Sequence, residues 1–195
     1  MLATFAWIFG LMFVLELPDK TTFAAIIMAA KTRPLPVWIG GTLALTLHMG
    51  LAVIAGRLMQ NIPHTPRDIV VTVLFFAGAL YLLLVPEKAE EKGGEEEASH
   101  MKTGSFTREA SAAFAVLFIG EFGDLTQIQA ANFAMKMPGQ GLIIFIASSL
   151  ALSAVIAVGA FSGSFLTRYV PLAKLRIIGG IIFMGFAIFS LISLL

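Results

Sequence analysis

Glu16 and Asp19 stand three residues apart in a stretch that is otherwise almost wholly apolar, and Glu121 and Asp124 repeat that spacing 105 residues later. The chain holds twelve acidic residues. Seven of them (Glu87, Glu90, Glu91, Glu95, Glu96, Glu97 and Glu109) lie in or beside one polar segment, and Asp68 lies at the end of an apolar one. The other four lie inside apolar stretches, and Lys20 is the one basic residue placed among them. If those stretches cross a bilayer, each mid-membrane carboxylate costs on the order of 2.5–3.5 kcal/mol, and four cost roughly 10 kcal/mol unless protonated or paired. Lys20 is placed one helical turn from Glu16 and can pair with it, but it cannot neutralise all four. Protons or a cation must supply the rest.

The donor chemistry narrows the cation. On a continuous helix Glu16, Asp19 and Thr22 share one face, as do Glu121, Asp124 and Gln127. Two such faces brought together offer four carboxylates with Thr22 and Gln127 oxygens beside them, an all-oxygen set suited to hard cations such as Ca²⁺, Mn²⁺ or Mg²⁺. Neither motif contains His, Met or Cys, which disfavours copper and zinc, and the chain has no cysteine at all. Four crowded acids cannot all be ionised when empty, so they titrate as a group. A divalent cation expels their protons. Cation and protons then exclude one another, as exchange requires.

The elements that must carry these residues read as membrane helices. The chain has 195 residues, 58% of them hydrophobic and only 13% charged, with a mean hydropathy of +0.90. A soluble protein of this size cannot hide so much apolar surface. Net charge is +1 and gives no sign of nucleic-acid binding. Six apolar stretches run roughly over residues 2–30, 36–59, 69–85, 110–135, 141–166 and 177–195, and small residues recur in them (Gly40, Gly41, Gly50, Gly159, Gly163, Gly179, Gly180), as close helix approach requires. Residues 87–107, rich in Glu, Lys, Gly and Ser, read as a solvated linker.

The two flanking parts, 1–86 and 108–195, resemble each other. Phe13-Val-Leu-Glu-Leu-Pro-Asp-Lys-Thr21 aligns with Phe118-Ile-Gly-Glu-Phe-Gly-Asp-Leu-Thr126, Leu43–Thr46 aligns with Leu150–Ser153, and Gly56 and Gly78 align with Gly163 and Gly185. Three helices per part is an odd number, so the second part enters the membrane from the opposite side, an inverted repeat. Nine basic residues (Lys31, Arg33, Lys88, Lys92, Lys102, Arg108, Arg168, Lys174, Arg176) flank the odd loops and three (Arg57, Arg67, Lys136) the even ones. The positive-inside rule puts the odd loops in the cytoplasm and both termini outside. The first segment has no basic n-region or cleavage site and reads as a retained helix. The absence of a targeting extension points to a bacterial inner membrane.

Helix-breaking residues sit at one place in both parts. Pro18 lacks a backbone donor, and Gly123, its counterpart, weakens a helix by its freedom. The first stretch would be about 43 Å long as one straight helix, against a hydrocarbon core of about 30 Å, so helices 1 and 4 are expected to be broken or strongly tilted.

The paired motifs resemble the Gdt-type family of small cation/proton antiporters, whose signature Glu-x-Gly-Asp-Lys/Arg-Thr/Ser occurs twice, on the first and fourth of six transmembrane helices. The copies here read Glu16-Leu-Pro-Asp-Lys-Thr21 and Glu121-Phe-Gly-Asp-Leu-Thr126. The resemblance covers essentially the whole chain. It implies an all-α integral membrane transporter that moves Mn²⁺ or Ca²⁺ in exchange for protons, with Glu16, Asp19, Glu121 and Asp124 on the metal and Thr21 and Thr126 at the hydroxyl positions. It also implies a cytosolic central loop and no cofactor. Pro18 departs from the glycine of the first copy. Leu125 departs from the basic residue of the second, leaving Lys20 as the sole cation of the pair.

Export from the cytoplasm by alternating access is the expected mechanism, with the bilayer as surroundings and a homo-oligomer compatible with it. Lys20, Thr21, Thr126, Pro18 and Gly123 are expected to gate or brace the metal ligands. His48 reads as a packing and hydrogen-bonding histidine, with a proton relay as the alternative. Two other functions compete. An intramembrane aspartyl hydrolase would use Asp19 and Asp124 as a dyad, but it leaves both glutamates unexplained. An exporter of a small organic solute would want aromatic groups near the motifs, whereas Trp7 and Trp38 lie toward segment ends.

Overall fold

The computed structural model describes residues 1–101, 103–162 and 172–192. Among these, every element is a helix: α1 (Leu2–Glu16), α2 (Lys20–Lys31), α3 (Pro34–Met59), α4 (His64–Leu84), α5 (Glu87–Ser99), α6 (Phe106–Gly120), α7 (Leu125–Lys136), α8 (Gly141–Ser162) and α9 (Leu172–Ile192). Helices α3, α4 and α8 are long and apolar enough to cross a membrane. The pairs α1–α2 and α6–α7 are apolar enough together, but they bend by 70° and 72° at their breaks. The apolar part of α9, Arg176–Ile192, is shorter. This helix starts at Leu172, five residues before the apolar stretch begins, so that Lys174 and Arg176 are helical. The expected end of the fifth stretch, together with Lys102, Gly163 and Arg168, lies outside the described residues.

Lipid as the surrounding solvent is written on the helix surfaces. On α3, Leu43, Leu47, Leu51, Ile54 and Leu58 follow one another at three- and four-residue steps, and each is between 45% and 65% exposed. The opposite face buries Ala44, Leu45, His48, Met49 and Ala52. A water-soluble helix would carry polar side chains on so exposed a face.

The helices pair across the two parts of the chain. The α1–α2 pair packs on α8, and α6–α7 packs on α3; α3 meets α8, and α4 meets α9. Exchanging the two parts leaves this scheme of partners unchanged. Small residues make the central contacts backbone to backbone. A Cβ added at Gly40 would overlap the carbonyl oxygen of Ala110 on α6, and one at Gly56 would overlap that of Ala131 on α7. A Cβ at Gly159 of α8 would lie 3.1 Å from the carbonyl oxygen of Thr22 on α2. Trp38 is also part of a helix contact: its Nε1 donates to the Ser153 carbonyl and Oγ at 3.2 Å, and Thr42 bonds the same hydroxyl at 3.0 Å.

The polar segment differs from the expected tether. Residues 87–99 form α5, which packs along α2. Gly94 and Ala98 are buried on its inner side, as is Met101 just past its end, while Glu91, Lys92, Glu95 and Glu96 face out. The three-to-four-residue spacing of small and apolar residues makes the segment amphipathic despite its charge.

Candidate functional site

The two breaks bring the motif acids together. Helix α1 ends at Glu16, Leu17 and Pro18 form the turn, and Asp19 caps α2 in extended conformation, its Oδ1 accepting from the Lys20 N–H at 2.7 Å. In the second copy Glu121 closes α6, and Asp124 caps α7 by accepting from the Gln127 N–H at 2.8 Å. Each aspartate therefore sits where a helix presents unsatisfied N–H groups and the positive end of its dipole. Gly123 turns the second break with φ of +82°, a left-handed conformation open to glycine. Nothing lies within 4 Å of a Cβ placed there, so conformation and not space calls for glycine.

Three carboxylates converge. One oxygen from each of Glu16, Asp19 and Asp124 lies within 4.8 Å of the others, so the cluster draws on both motifs. Glu16 is fully buried, and neither of its oxygens has a hydrogen-bond partner among the described residues. Glu121, the fourth acid, stands beside this group: its Oε1 accepts from the Thr21 hydroxyl at 2.7 Å, and its Oε2 lies 3.7 Å from Lys20 Nζ. Two unit charges 4.8 Å apart repel by roughly 3.5 kcal/mol at an effective dielectric of about 20. An empty cluster with every acid ionised is therefore costly, and a divalent cation or protons relieve it. A cavity of about 400 Å³ lined by Asp19, Lys20, Tyr81, Asp124 and Leu125 reaches the cluster from the side of α4.

The single-face geometry expected for Glu16, Asp19 and Thr22 does not hold, because the helix breaks between the two acids. Thr22 and Gln127 brace the breaks instead of adding oxygens to the cluster. The Thr22 hydroxyl donates to the Glu16 carbonyl at 3.4 Å. The Gln127 amide donates to the Glu121 carbonyl and accepts from the Gly123 N–H at 3.0 Å. Their neighbours face the acids: Thr21 reaches across to Glu121, and Thr126 donates to Asp124 Oδ2 at 2.8 Å. Lys20 does not pair with Glu16. Its Nζ donates to Glu97 Oε1 at 2.7 Å and to the Gly120 carbonyl at 2.6 Å.

His48 is buried, lies against Phe118 with the ring of Phe122 edge-on to it, and shares a 3.1 Å hydrogen bond between its Nδ1 and Gln127 Nε2. Leu125, in the position of the missing second basic residue, packs its side chain on Gly78 of α4. That contact gives the departure a reason: an apolar helix contact replaces a charge. Sequence reasoning missed three polar residues. Composition makes Glu97 a solvated residue, although it follows Gly94 and neighbours Ala98 on the inner side of α5. Gln129 and Asn132 are buried and continue from Thr126 at three-residue steps along α7, a polar stripe visible in the sequence.

Comparison with known protein families gives one match, found twice along the chain. The family described as the divalent cation/proton antiporter GDT1 matches residues 4–90 and again residues 109–195, so the two matched stretches also begin 105 residues apart. The chain belongs to that family. Its members are transporters, not enzymes, which sets aside the hydrolase reading of Asp19 and Asp124. The chain is 27% identical to GDT1-like protein 3 of Oryza sativa subsp. indica, over 93% of this chain and 71% of that protein. It is 25% identical to the chloroplastic PAM71-homolog of Arabidopsis thaliana, over 92% of this chain and 56% of the relative, and 26% identical to chloroplastic PAM71 of the same plant, over 94% and 55%. The chain thus spans little more than half the length of these chloroplast relatives. No solved structure matches it.

Proposed function

We propose that the chain carries Mn²⁺ or Ca²⁺ across its membrane in exchange for protons, by alternating access, and exports the metal from the cytoplasm. The convergence of Glu16, Asp19 and Asp124 from both broken helices carries this reading. These three acids are the metal ligands, Glu121 joins them when the cation arrives, and Thr21 and Thr126 hold the carboxylates in orientation. The architecture proposed is six spans in two inverted three-helix units, residues 1–86 and 108–195, joined by a cytoplasmic segment with both termini outside. The exchange-symmetric helix pairing and the excess of basic residues at odd loops support it. The units rock about the cluster, which opens in turn to each face.

Coupling follows from the crowding. With the cation present all the acids are ionised; as protons from the outer face bind them, the site loses its charge and releases the metal. Gln127 and His48 stiffen the second break, so that its movement carries α7 along with Asp124. The test is flux of Mn²⁺ and of Ca²⁺ into proteoliposomes under an imposed pH gradient. Flux that follows the gradient and reverses with it is expected. Folded protein that moves neither ion, or moves one without regard to the gradient, refutes the proposal.

A further inference from the structure

Helix α5 inserts one carboxylate into the edge of the site. Gly94 lies so close to α2 that an added Cβ would come 2.6 Å from Phe23 Cβ and 2.7 Å from the Ala24 nitrogen. Ala98 is fully buried, and its carbonyl accepts from Lys31 Nζ at 3.2 Å. This seating aims Glu97 at Lys20, with a Glu97 side chain only 14% exposed. The ammonium has three protons. Glu97 takes one at 2.7 Å and the Gly120 carbonyl another at 2.6 Å, while Glu121 is left at 3.7 Å. Lys20 is the only basic side chain in the two motifs, since Leu125 occupies the equivalent place in the second. An ammonium that moved onto Glu121 would occupy the ground a divalent cation needs.

We propose that Glu97 is a positioning residue of the cation site: it holds the Lys20 ammonium at the rim and keeps Glu121 and the neighbouring acids available to the metal. The proposal rests on the transport reading above, and it assigns to the central segment a direct part in cation affinity.

The test measures Mn²⁺ binding to purified full-length protein from the free-ion magnetic resonance signal, beside flux in proteoliposomes, for wild type, Glu97→Gln and the double variant Lys20→Gln/Glu97→Gln. In Glu97→Gln the ammonium relaxes onto Glu121, so the Kd and the KM for Mn²⁺ rise about tenfold while the maximal rate stays within about twofold. In the double variant no ammonium remains to compete, and the Kd returns to within about threefold of wild type. An unchanged Kd in Glu97→Gln overturns the proposal. So does a double variant as weak as the single one, because Glu97 would then act only by seating α5. Wild-type protein that binds Mn²⁺ without transporting it refutes the transport reading, and the three Kd values still decide the role of Glu97. If wild type binds Ca²⁺ and not Mn²⁺, the same three Kd values are read by calorimetric Ca²⁺ titration; wild-type protein that binds neither ion refutes both.

Discussion

Replacing Asp124 by Asn removes one charge from the cluster while leaving the fold nearly untouched. Asn caps a helix as well as Asp does, and its side-chain oxygen can still accept from the Gln127 N–H that Asp124 holds at 2.8 Å, so the roughly 1 kcal/mol of the cap is retained. The electrostatic effect is larger. A divalent ion with its charge about 3 Å from a carboxylate is attracted by roughly 11 kcal/mol at an effective dielectric of about 20. Against this, removing Asp124 relieves its repulsion with Glu16 and Asp19, each within 4.8 Å and each worth roughly 3.5 kcal/mol. The difference is about 4 kcal/mol, or close to a thousandfold in affinity. Mn²⁺ titration of the purified variant reads it directly, with thermal unfolding in detergent as the check on folding. Glu109→Gln serves as the comparison, because Glu109 is buried against Arg33 at 2.8 Å and takes no part in the cluster. A loss below tenfold in a folded Asp124→Asn protein, or an equal loss in Glu109→Gln, would refute the three-carboxylate argument.

Three further outcomes are expected. Lowering the pH should weaken Mn²⁺ binding by about tenfold per unit for each proton displaced, and titration in weakly buffered solution should register the released protons; affinity independent of pH would break the proposed coupling. Gly123→Ala forces a Cβ onto a residue with φ of +82°, at a cost of roughly 1–2 kcal/mol, and should lower the unfolding temperature and slow flux; a variant indistinguishable from wild type in both would mean the break tolerates another conformation. Gly40→Val drives a side chain into the Ala110 carbonyl where α3 crosses α6, and should destabilise the protein by about 1–3 kcal/mol or more, seen as a lower unfolding temperature, whereas Gly10→Val, with nothing within 4 Å, should leave that temperature within error.

Much of this protein was legible in the chain itself. Apolar stretches interrupted at Pro18 and Gly123 mark membrane helices that cannot run straight, because a missing donor and a flexible glycine both work against the helical ladder. Carboxylates isolated in apolar surroundings stand out, because their placement is costly unless they are protonated or paired. Both inferences depend on composition and local spacing, which a sequence displays in full. The partners of those carboxylates are another matter. Glu16 and Asp19 share a helix face only if the helix continues; with a 70° bend between them they meet at the break, where Asp124 of the other motif joins them. That bend sends Thr21 to Glu121, and it leaves Thr22 and Gln127 to brace backbone. Lys20 finds Glu97, 77 residues away, because α5 lies along α2, whereas spacing along one helix points it to Glu16. The sequence determined which residues are too costly to leave uncompensated. Only the tertiary structure decided which groups compensate them, because a side chain of a few ångströms reaches whatever the packing of distant helices brings to it.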